Sequence, residues 1–184
     1  MKLLFWNIRG LGGAGRRKQL VELCKCHDLH FICLQETIKD SFRSREINSF
    51  SRGLDFAWSW IASNGHFGGL LMGVDKEIVT VLKEEKGVFC HFLELKNNSY
   101  SFQWCHFNVY GPVQDNRKAE FLQELAELIS NCHLPFIMGG DFNMVRRVDD
   151  KSSGNVDVRW MQAFKDLIDN SAIKELHRSG SRYT

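Results

Sequence analysis

The sequence predicts a mixed α/β domain, with one domain spanning residues 1–184. Three observations carry this prediction. The first 35 residues alternate strand, helix and strand, the middle third contains consecutive strands without helices between them, and polar residues end several apolar strands. A chain of 184 residues with 43% hydrophobic content is also long enough to bury a core.

The first third of the chain reads as a strand–helix–strand unit. Short apolar runs bounded by turn signals indicate buried strands, here residues 2–8 and 30–34. Helical spacing of apolar residues predicts a helix over residues 16–27 between them. The glycine-rich stretch 9–15 lacks P-loop spacing and is interpreted as a strand-to-helix turn. The two strands should therefore end at one edge of a sheet, where α/β proteins place their ligands.

The middle of the chain is predicted to be antiparallel, because turn signals separate its apolar runs. A polar loop with a short helix is expected over residues 40–53. The predicted strands cover residues 56–62, 70–74, 77–82, 88–96 and 100–110.

The last third is predicted to hold two amphipathic helices around one more strand. Asp115 is placed to cap the first helix, whose apolar face includes Phe121 and Leu125. A buried strand follows from Leu134 and ends in two glycines, and a polar loop covers residues 144–157. The second helix carries Trp160, and a turn with the start of a strand is expected at 181–184.

Polar side chains end four of the apolar segments: Asn7, Glu36, Tyr110, and Asp141 with Asn143. Each is ordinary alone, since a Glu after a strand is commonly a helix cap, Asp-x-Asn is commonly a turn, and a Tyr commonly packs. A buried strand that ends in unpaired polar groups is costly unless those groups find partners. Four such ends in one chain indicate a shared polar site.

The charge and the cysteine content indicate which partners and which compartment to expect. The net charge of +2 permits an anionic partner without demanding one, and the basic runs 16–18 and 146–147 suit a solvated face equally well. No signal peptide or membrane-spanning run is recognised, so we expect no membrane partner and a nuclear or cytoplasmic location. A reducing compartment fits the six scattered cysteines, Cys24, Cys26, Cys33, Cys90, Cys105 and Cys132.

Four motifs carry a family resemblance: WNIRGLG at 6–12, LQET at 34–37, NVYGP at 108–112 and GGDFN at 139–143. They resemble the endonuclease/exonuclease/phosphatase superfamily, which has the DNase I-like fold. The residues of these motifs are most similar to those of the apurinic-type endonuclease domain of plant LINE (non-LTR) retrotransposons. The resemblance implies a four-layer α/β sandwich, with two mixed β-sheets packed face to face and helices outside.

The resemblance also implies a phosphodiester-cleaving site that uses Mg²⁺ or Mn²⁺. Glu36 would be the principal metal ligand with Asn7 beside it, and Mg²⁺ prefers such hard oxygen ligands. Asp141 would orient or deprotonate the attacking water. Asn143 would hold a phosphate oxygen, and Tyr110 would contact the phosphate or the leaving group.

Three further residues are candidates for contacting phosphate or DNA: Arg9, Asn108 and His106. His106 shares strand parity with Asn108 and Tyr110, so its side chain could point toward the site, although a packed or surface histidine is the commoner case.

The family pattern continues to a late strand and a Ser-Asp-His ending, and no Ser-Asp-His occurs in this sequence. We therefore expect a domain that lacks its C-terminal strands and has weak or no activity. The resemblance implies a monomeric domain that nicks DNA for target-primed reverse transcription. In the full-length protein, this domain is expected to continue into a reverse transcriptase domain. A non-catalytic remnant that binds metal or nucleic acid, and a small-molecule phosphatase of the inositol-phosphate type, are the alternatives.

Overall fold

A computed structural model describes residues 1–51, 53–64, 68–176 and 179. They form two compact units. The first comprises Met1–Tyr110 with Leu134–Asp141, and the second comprises Gly111–His133 with Phe142–Thr184. The turn and strand predicted at 181–184 lie outside the described residues.

The first unit contains two four-stranded sheets. Sheet I has the order β1-β2-β4-β3, with β1 and β2 parallel and the other pairs antiparallel. Its strands are β1 (Leu3–Asn7), β2 (Phe31–Gln35), β3 (Phe56–Ile61) and β4 (Leu70–Asp75).

Sheet II has the order β5-β6-β7-β8, with β7 and β8 parallel and the other pairs antiparallel. Both sheets are therefore mixed, as the sequence predicted. The strands of sheet II are β5 (Val79–Lys86), β6 (Cys90–Asn97), β7 (Gln103–Tyr110) and β8 (Phe136–Asp141).

Parallel pairing places the polar strand ends side by side. In sheet I, Asn7 pairs with Gln35, the residue before Glu36. In sheet II, Tyr110 pairs with Asp141. The carboxyl ends of β1 and β2, and those of β7 and β8, therefore lie at a common edge of each sheet.

Two apolar clusters cover the two faces of sheet I. One packs sheet I against sheet II and contains Phe31, Cys33, Met72, Val74, Leu93, Leu95 and Trp104. The other packs the helices α1 (Ala14–His27) and α2 (Ser44–Phe50) on the opposite face and contains Leu20, Cys24, Ile47, Phe50, Ile32, Leu34 and Leu71. Sheet I is thus buried on both sides, which explains its nearly continuous apolar strands.

Two glycines shape the end of β8. A Cβ atom on Gly139 would lie 2.6 Å from the ring of Phe5 in β1, so sheet II approaches sheet I more closely here than any side chain would permit. Gly140 has φ +136°, a conformation that only glycine adopts readily. The glycine pair therefore lets β8 run against β1 and sets the direction in which Asp141 leaves the strand.

The second unit contains α3 (Lys118–Asn131) and α4 (Val158–Asn170). The Asp157 carboxylate caps α4 by accepting from the backbone N–H groups of Arg159 and Trp160. The prediction that Asp115 caps the preceding helix is wrong. Asp115 starts a short 3₁₀ turn and pairs with Lys118 at 2.8 Å, so α3 begins two residues later than a cap at Asp115 requires.

The fold class is confirmed: two mixed four-stranded sheets with helices form an α/β sandwich. The prediction for β5 was too short, because its second half is a charged, exposed edge that gives no apolar signal. All six cysteines are free thiols. Among the described residues, no helix is both long and apolar enough to cross a bilayer.

We expect Gly139→Ala to destabilise the first unit by about 1–3 kcal/mol, because the added methyl group overlaps the Phe5 ring. Urea unfolding monitored by circular dichroism measures this loss. Gly12→Ala is the matched control, since a Cβ at Gly12 meets no atom within 4 Å. Equal stabilities for the two variants would contradict the close approach of the sheets.

Candidate active site

Two hydrogen bonds join the four strand ends of the first unit. The Asn7 side-chain amide, at the end of β1, donates to Asp141 Oδ2 at the end of β8 over 2.7 Å. The Tyr110 hydroxyl, at the end of β7, donates to Glu36 Oε1 just after β2 over 2.5 Å. Each bond links sheet I to sheet II. The structure therefore brings together four of the predicted site residues in one half-buried polar cluster.

The protonation state of Tyr110 follows from its surroundings. Burial, the hydrogen bond to Glu36, and the negative charges of Glu36 and Asp141 all raise the pKa of the Tyr110 phenol well above its ordinary value. The phenol is therefore neutral at physiological pH and acts as a hydrogen-bond donor. The cluster combines one neutral donor with two carboxylates.

Glu36 sits on a strained but well-supported backbone. Its φ is 52°, in the left-handed region that residues other than glycine seldom adopt. Its carbonyl accepts from the Gly10 N–H over 2.7 Å, and the next residue, Thr37, donates its N–H to the Gly69 carbonyl over 3.1 Å. The loops after β1 and before β4 thus hold Glu36 in place. Such strain, of order 1–3 kcal/mol, is concentrated at functional sites.

Arg9 lies beside the cluster on the same loop as Gly10. Its backbone N–H donates to Asn7 Oδ1 over 3.2 Å, and its φ is also left-handed at 52°. This bond orients the Asn7 carboxamide so that its amide group faces Asp141. The Arg9 side chain is exposed, and its contact with phosphate or DNA stays a prediction.

The prediction that Asn108 contacts phosphate or DNA is corrected by the structure, because Asn108 is fully buried and its side chain is bonded to protein groups. Its amide instead donates to the carbonyls of Leu34 and Leu71 in sheet I, and its Oδ1 accepts from Gln35 Nε2 over 2.5 Å. Gln35 was missed by sequence reasoning, although a Gln ending an apolar strand next to Glu36 is itself a signal of a buried polar partner.

His106 corrects a second prediction, because it is also fully buried. Its ring stacks between Phe5 and Phe31, with both centroid distances at 5.4 Å, and Nε2 lies 3.2 Å from Cys33 Sγ. Burial lowers the pKa of His106 to about 4, so the ring is neutral. A neutral ring between two sheets cannot reach a phosphate, and His106 is a core residue.

Asn143 belongs to the second unit. Its side-chain amide donates to the Gly111 carbonyl over 2.8 Å, and its φ of 49° places it in a left-handed turn. This bond joins two segments of the second unit, those that begin at Gly111 and at Phe142. The proposed contact of Asn143 with a phosphate oxygen stays a prediction.

The residues of the cluster fit a hard divalent cation. Within the described part of the chain, the half-buried Glu36 carboxylate forms no ion pair, and a partly buried anion without a cation is costly. No group of three or more His, Cys, Asp and Glu side chains among the described residues could hold a metal ion. Mg²⁺ needs no such cage, because it commonly binds through one or two carboxylates and keeps several waters.

The chain belongs to the Endonuclease/Exonuclease/phosphatase family, whose profile matches residues 4–169. Members of this family generally depend on a divalent metal ion. No curated protein matches the sequence.

Solved structures share the fold at low sequence identity. An AP endonuclease from Leishmania major is 16% identical with a TM-score of 0.63, over 92% of this chain and 66% of that one. The human Nocturnin catalytic domain with bound sulfate is 16% identical with a TM-score of 0.59, over 77% and 64%. A mannosyl-6-phosphatase from Bacteroides thetaiotaomicron is 14% identical with a TM-score of 0.56, over 77% and 64%. The chain thus spans about two thirds of the length of these structures.

The buried His106 makes stability depend on pH. Because its folded pKa of about 4 lies below the unfolded value of about 6.5, the unfolded state takes up the proton first as the pH falls. The stabilisation is complete above pH ~6.5 and declines toward pH ~4. Between pH ~8 and pH ~5, protonation of His106 should lower the free energy of unfolding by about 2 kcal/mol. We expect His106→Phe to lack this decrease, as measured by urea unfolding at both pH values.

The control for this measurement is the exposed histidine His27. His27→Gln should keep the pH dependence of the unmodified protein. A pH dependence that His106→Phe leaves unchanged would show that His106 is not the buried neutral group.

Proposed function

We propose that this chain is the endonuclease domain of a LINE-type retroelement, a divalent-metal-dependent phosphodiesterase that nicks DNA for target-primed reverse transcription. One observation carries the hydrolytic part: the Asn7–Asp141 and Tyr110–Glu36 pairs, which gather two carboxylates, a carboxamide and a neutral phenol at one edge of the first unit. The wording of the four motifs supports the retroelement branch and DNA as the substrate.

Glu36 is the residue best suited to hold Mg²⁺ or Mn²⁺, with the carboxamide oxygen of Asn7 beside it. The bound ion would supply Lewis-acid stabilisation of the charge that develops on the phosphoryl oxygens. The Glu36 backbone is fixed by the neighbouring loops, so the carboxylate is positioned before substrate binds. Such preorganisation avoids reorganisation during the reaction.

Asp141 is the residue suited to orient the attacking water or accept its proton. The Asn7 amide already donates to Oδ2, which holds the carboxylate in one orientation. Tyr110 remains protonated, and its one hydroxyl proton is donated to Glu36 here. It would donate to a phosphate oxygen or to the leaving oxygen once the Glu36 carboxylate turns to the metal ion. The reaction then depends on positioning and on electrostatic stabilisation, without a covalent intermediate.

A phosphatase acting on a small molecule is the second candidate. The fold similarity to a mannosyl-6-phosphatase favours it, because one fold supports different phosphoester substrates. Release of inorganic phosphate from inositol phosphates or sugar phosphates would separate this candidate from a nuclease.

We expect the unmodified protein to nick supercoiled plasmid slowly with Mg²⁺ or Mn²⁺, because the sequence contains no Ser-Asp-His motif, and to stop in EDTA. Glu36→Gln and Asp141→Asn should each slow nicking by about 100-fold or more. Glu36→Gln removes the charge that would hold the metal ion, and Asp141→Asn removes the carboxylate that would accept the proton of the attacking water. Gel electrophoresis of the relaxed circle measures the rate.

The matched control is Glu77→Gln, which removes the same charge at an exposed position. It should nick at the unmodified rate. If the unmodified protein nicks no faster than Glu36→Gln, the chain is a non-catalytic remnant. If it releases inorganic phosphate but nicks no plasmid, it is a phosphatase.

A further inference from the structure

A basic groove of about 820 Å³ lies between α1 and the α2 region of the first unit. Its lining has an excess of four positive charges, because six basic side chains face two acidic ones, Glu22 and Glu46. The whole chain carries a net charge of only +2. The basic side chains are Arg17, Lys18, Lys25, Lys39, Arg43 and Arg45. We call this site the α1–α2 groove.

Two of the six cations are engaged within the protein. Arg17 donates from Nη1 to the carbonyls of Leu11 and Gly12 over 2.8 and 2.7 Å, and it thereby anchors the glycine-rich loop that follows β1. Lys39 pairs with Glu46 over 3.0 Å. These contacts are made within the protein and do not need a ligand.

Three of the other cations have no ion pair in the described part of the chain. Lys18, Arg43 and Arg45 are exposed; Lys18 lies on α1, and Arg43 and Arg45 lie at the start of α2. Like charges gathered around a concavity repel one another, so a bound anion lowers their electrostatic energy. An unpaired set of this kind is therefore better explained by an anionic partner than by folding alone.

The groove fits an extended polyanion better than a compact one. Four of its six cations are exposed, and Lys18 and Lys25 stand seven residues apart on α1, which corresponds to about 10 Å along the helix axis. Phosphates on one strand of a duplex are spaced by about 3.4 Å along its axis. The α1 side of the groove therefore matches about three phosphate-to-phosphate intervals along the duplex axis.

An anionic membrane surface is a poorer match. A membrane-binding helix presents large apolar residues toward the lipid, whereas the one apolar residue lining this groove is the half-buried Val21. The chemistry of the lining thus favours the phosphodiester backbone of a nucleic acid.

We propose that the α1–α2 groove is a sequence-independent binding site for the sugar–phosphate backbone of duplex nucleic acid. The site goes beyond the proposed function, because it lies on the outer helical face of sheet I and its binding does not require a metal ion or catalysis. Lys39 is three residues beyond Glu36, and Arg17 anchors the loop beyond Asn7. The groove residues are therefore close in sequence to both loops that carry the candidate catalytic residues.

The test is fluorescence anisotropy with labelled 20-base-pair DNA and RNA duplexes of arbitrary sequence, in EDTA and over a range of NaCl concentrations. The triple variant Lys18→Gln/Arg43→Gln/Arg45→Gln should weaken binding by about 10-fold or more and reduce the salt slope by about 2 to 3. Whichever duplex binds more tightly, DNA or RNA, is identified as the natural ligand of the groove. Arg43→Lys/Arg45→Lys keeps the charges and should bind like the unmodified protein.

The matched control is Lys2→Gln/Lys83→Gln/Lys96→Gln, which removes the same charge from exposed positions outside the groove. Its binding should change by less than about 2-fold. Equal weakening by both triple variants would overturn the proposal in favour of net charge, as would failure of the unmodified protein to bind either duplex. Groove-dependent binding to phosphatidylserine vesicles without duplex binding would overturn it in favour of a membrane.

Because this assay contains no metal ion, its outcome is independent of the nicking assay. Duplex binding without nicking would leave the groove supported and the proposed hydrolysis refuted. Thermal unfolding followed by circular dichroism confirms that each variant is folded before its binding is compared.

Discussion

The candidate site depends on the buried bridge that Asn108 makes between the two sheets. Asn108 lies in β7 of sheet II and donates to two carbonyls of sheet I, those of Leu34 and Leu71. Its Oδ1 accepts from Gln35, the residue before Glu36. Breaking such a network leaves buried groups unsatisfied, at about 1–3 kcal/mol for each group. The bridge therefore fixes the offset between the sheets immediately below the strand ends.

That offset decides which polar groups meet at the edge. Glu36 follows Gln35, and Tyr110 follows Asn108 by two residues, so the same two strands that are bridged in the core also carry the Tyr110–Glu36 bond. The glycine pair at 139–140 lets β8 approach β1, which brings Asp141 to Asn7. The polar cluster is thus a consequence of backbone packing, and its strain at Glu36 is supported by the surrounding loop hydrogen bonds.

Much of this arrangement could be predicted from the sequence. Strands that are buried on both faces have continuous apolar runs, and the points at which these runs stop in Asn, Glu, Tyr or Asp located the cluster. The roles of Asn108 and His106 could not be predicted, because strand parity says which face a residue occupies and not whether that face meets solvent or another sheet. The α1–α2 groove could not be predicted from the sequence either, because its cations come from separated segments that only the packing of the helices brings together.

The proposal that Glu36 and Asn7 hold one divalent metal ion is tested most directly by crystals grown with Mn²⁺ and measured at the manganese absorption edge. We expect an anomalous peak within coordination distance of the Glu36 carboxylate and the Asn7 carboxamide oxygen, and we expect Glu36→Gln to abolish it. No peak at this edge of the first unit, or a peak that persists in Glu36→Gln, would contradict the assignment of Glu36 as the metal ligand.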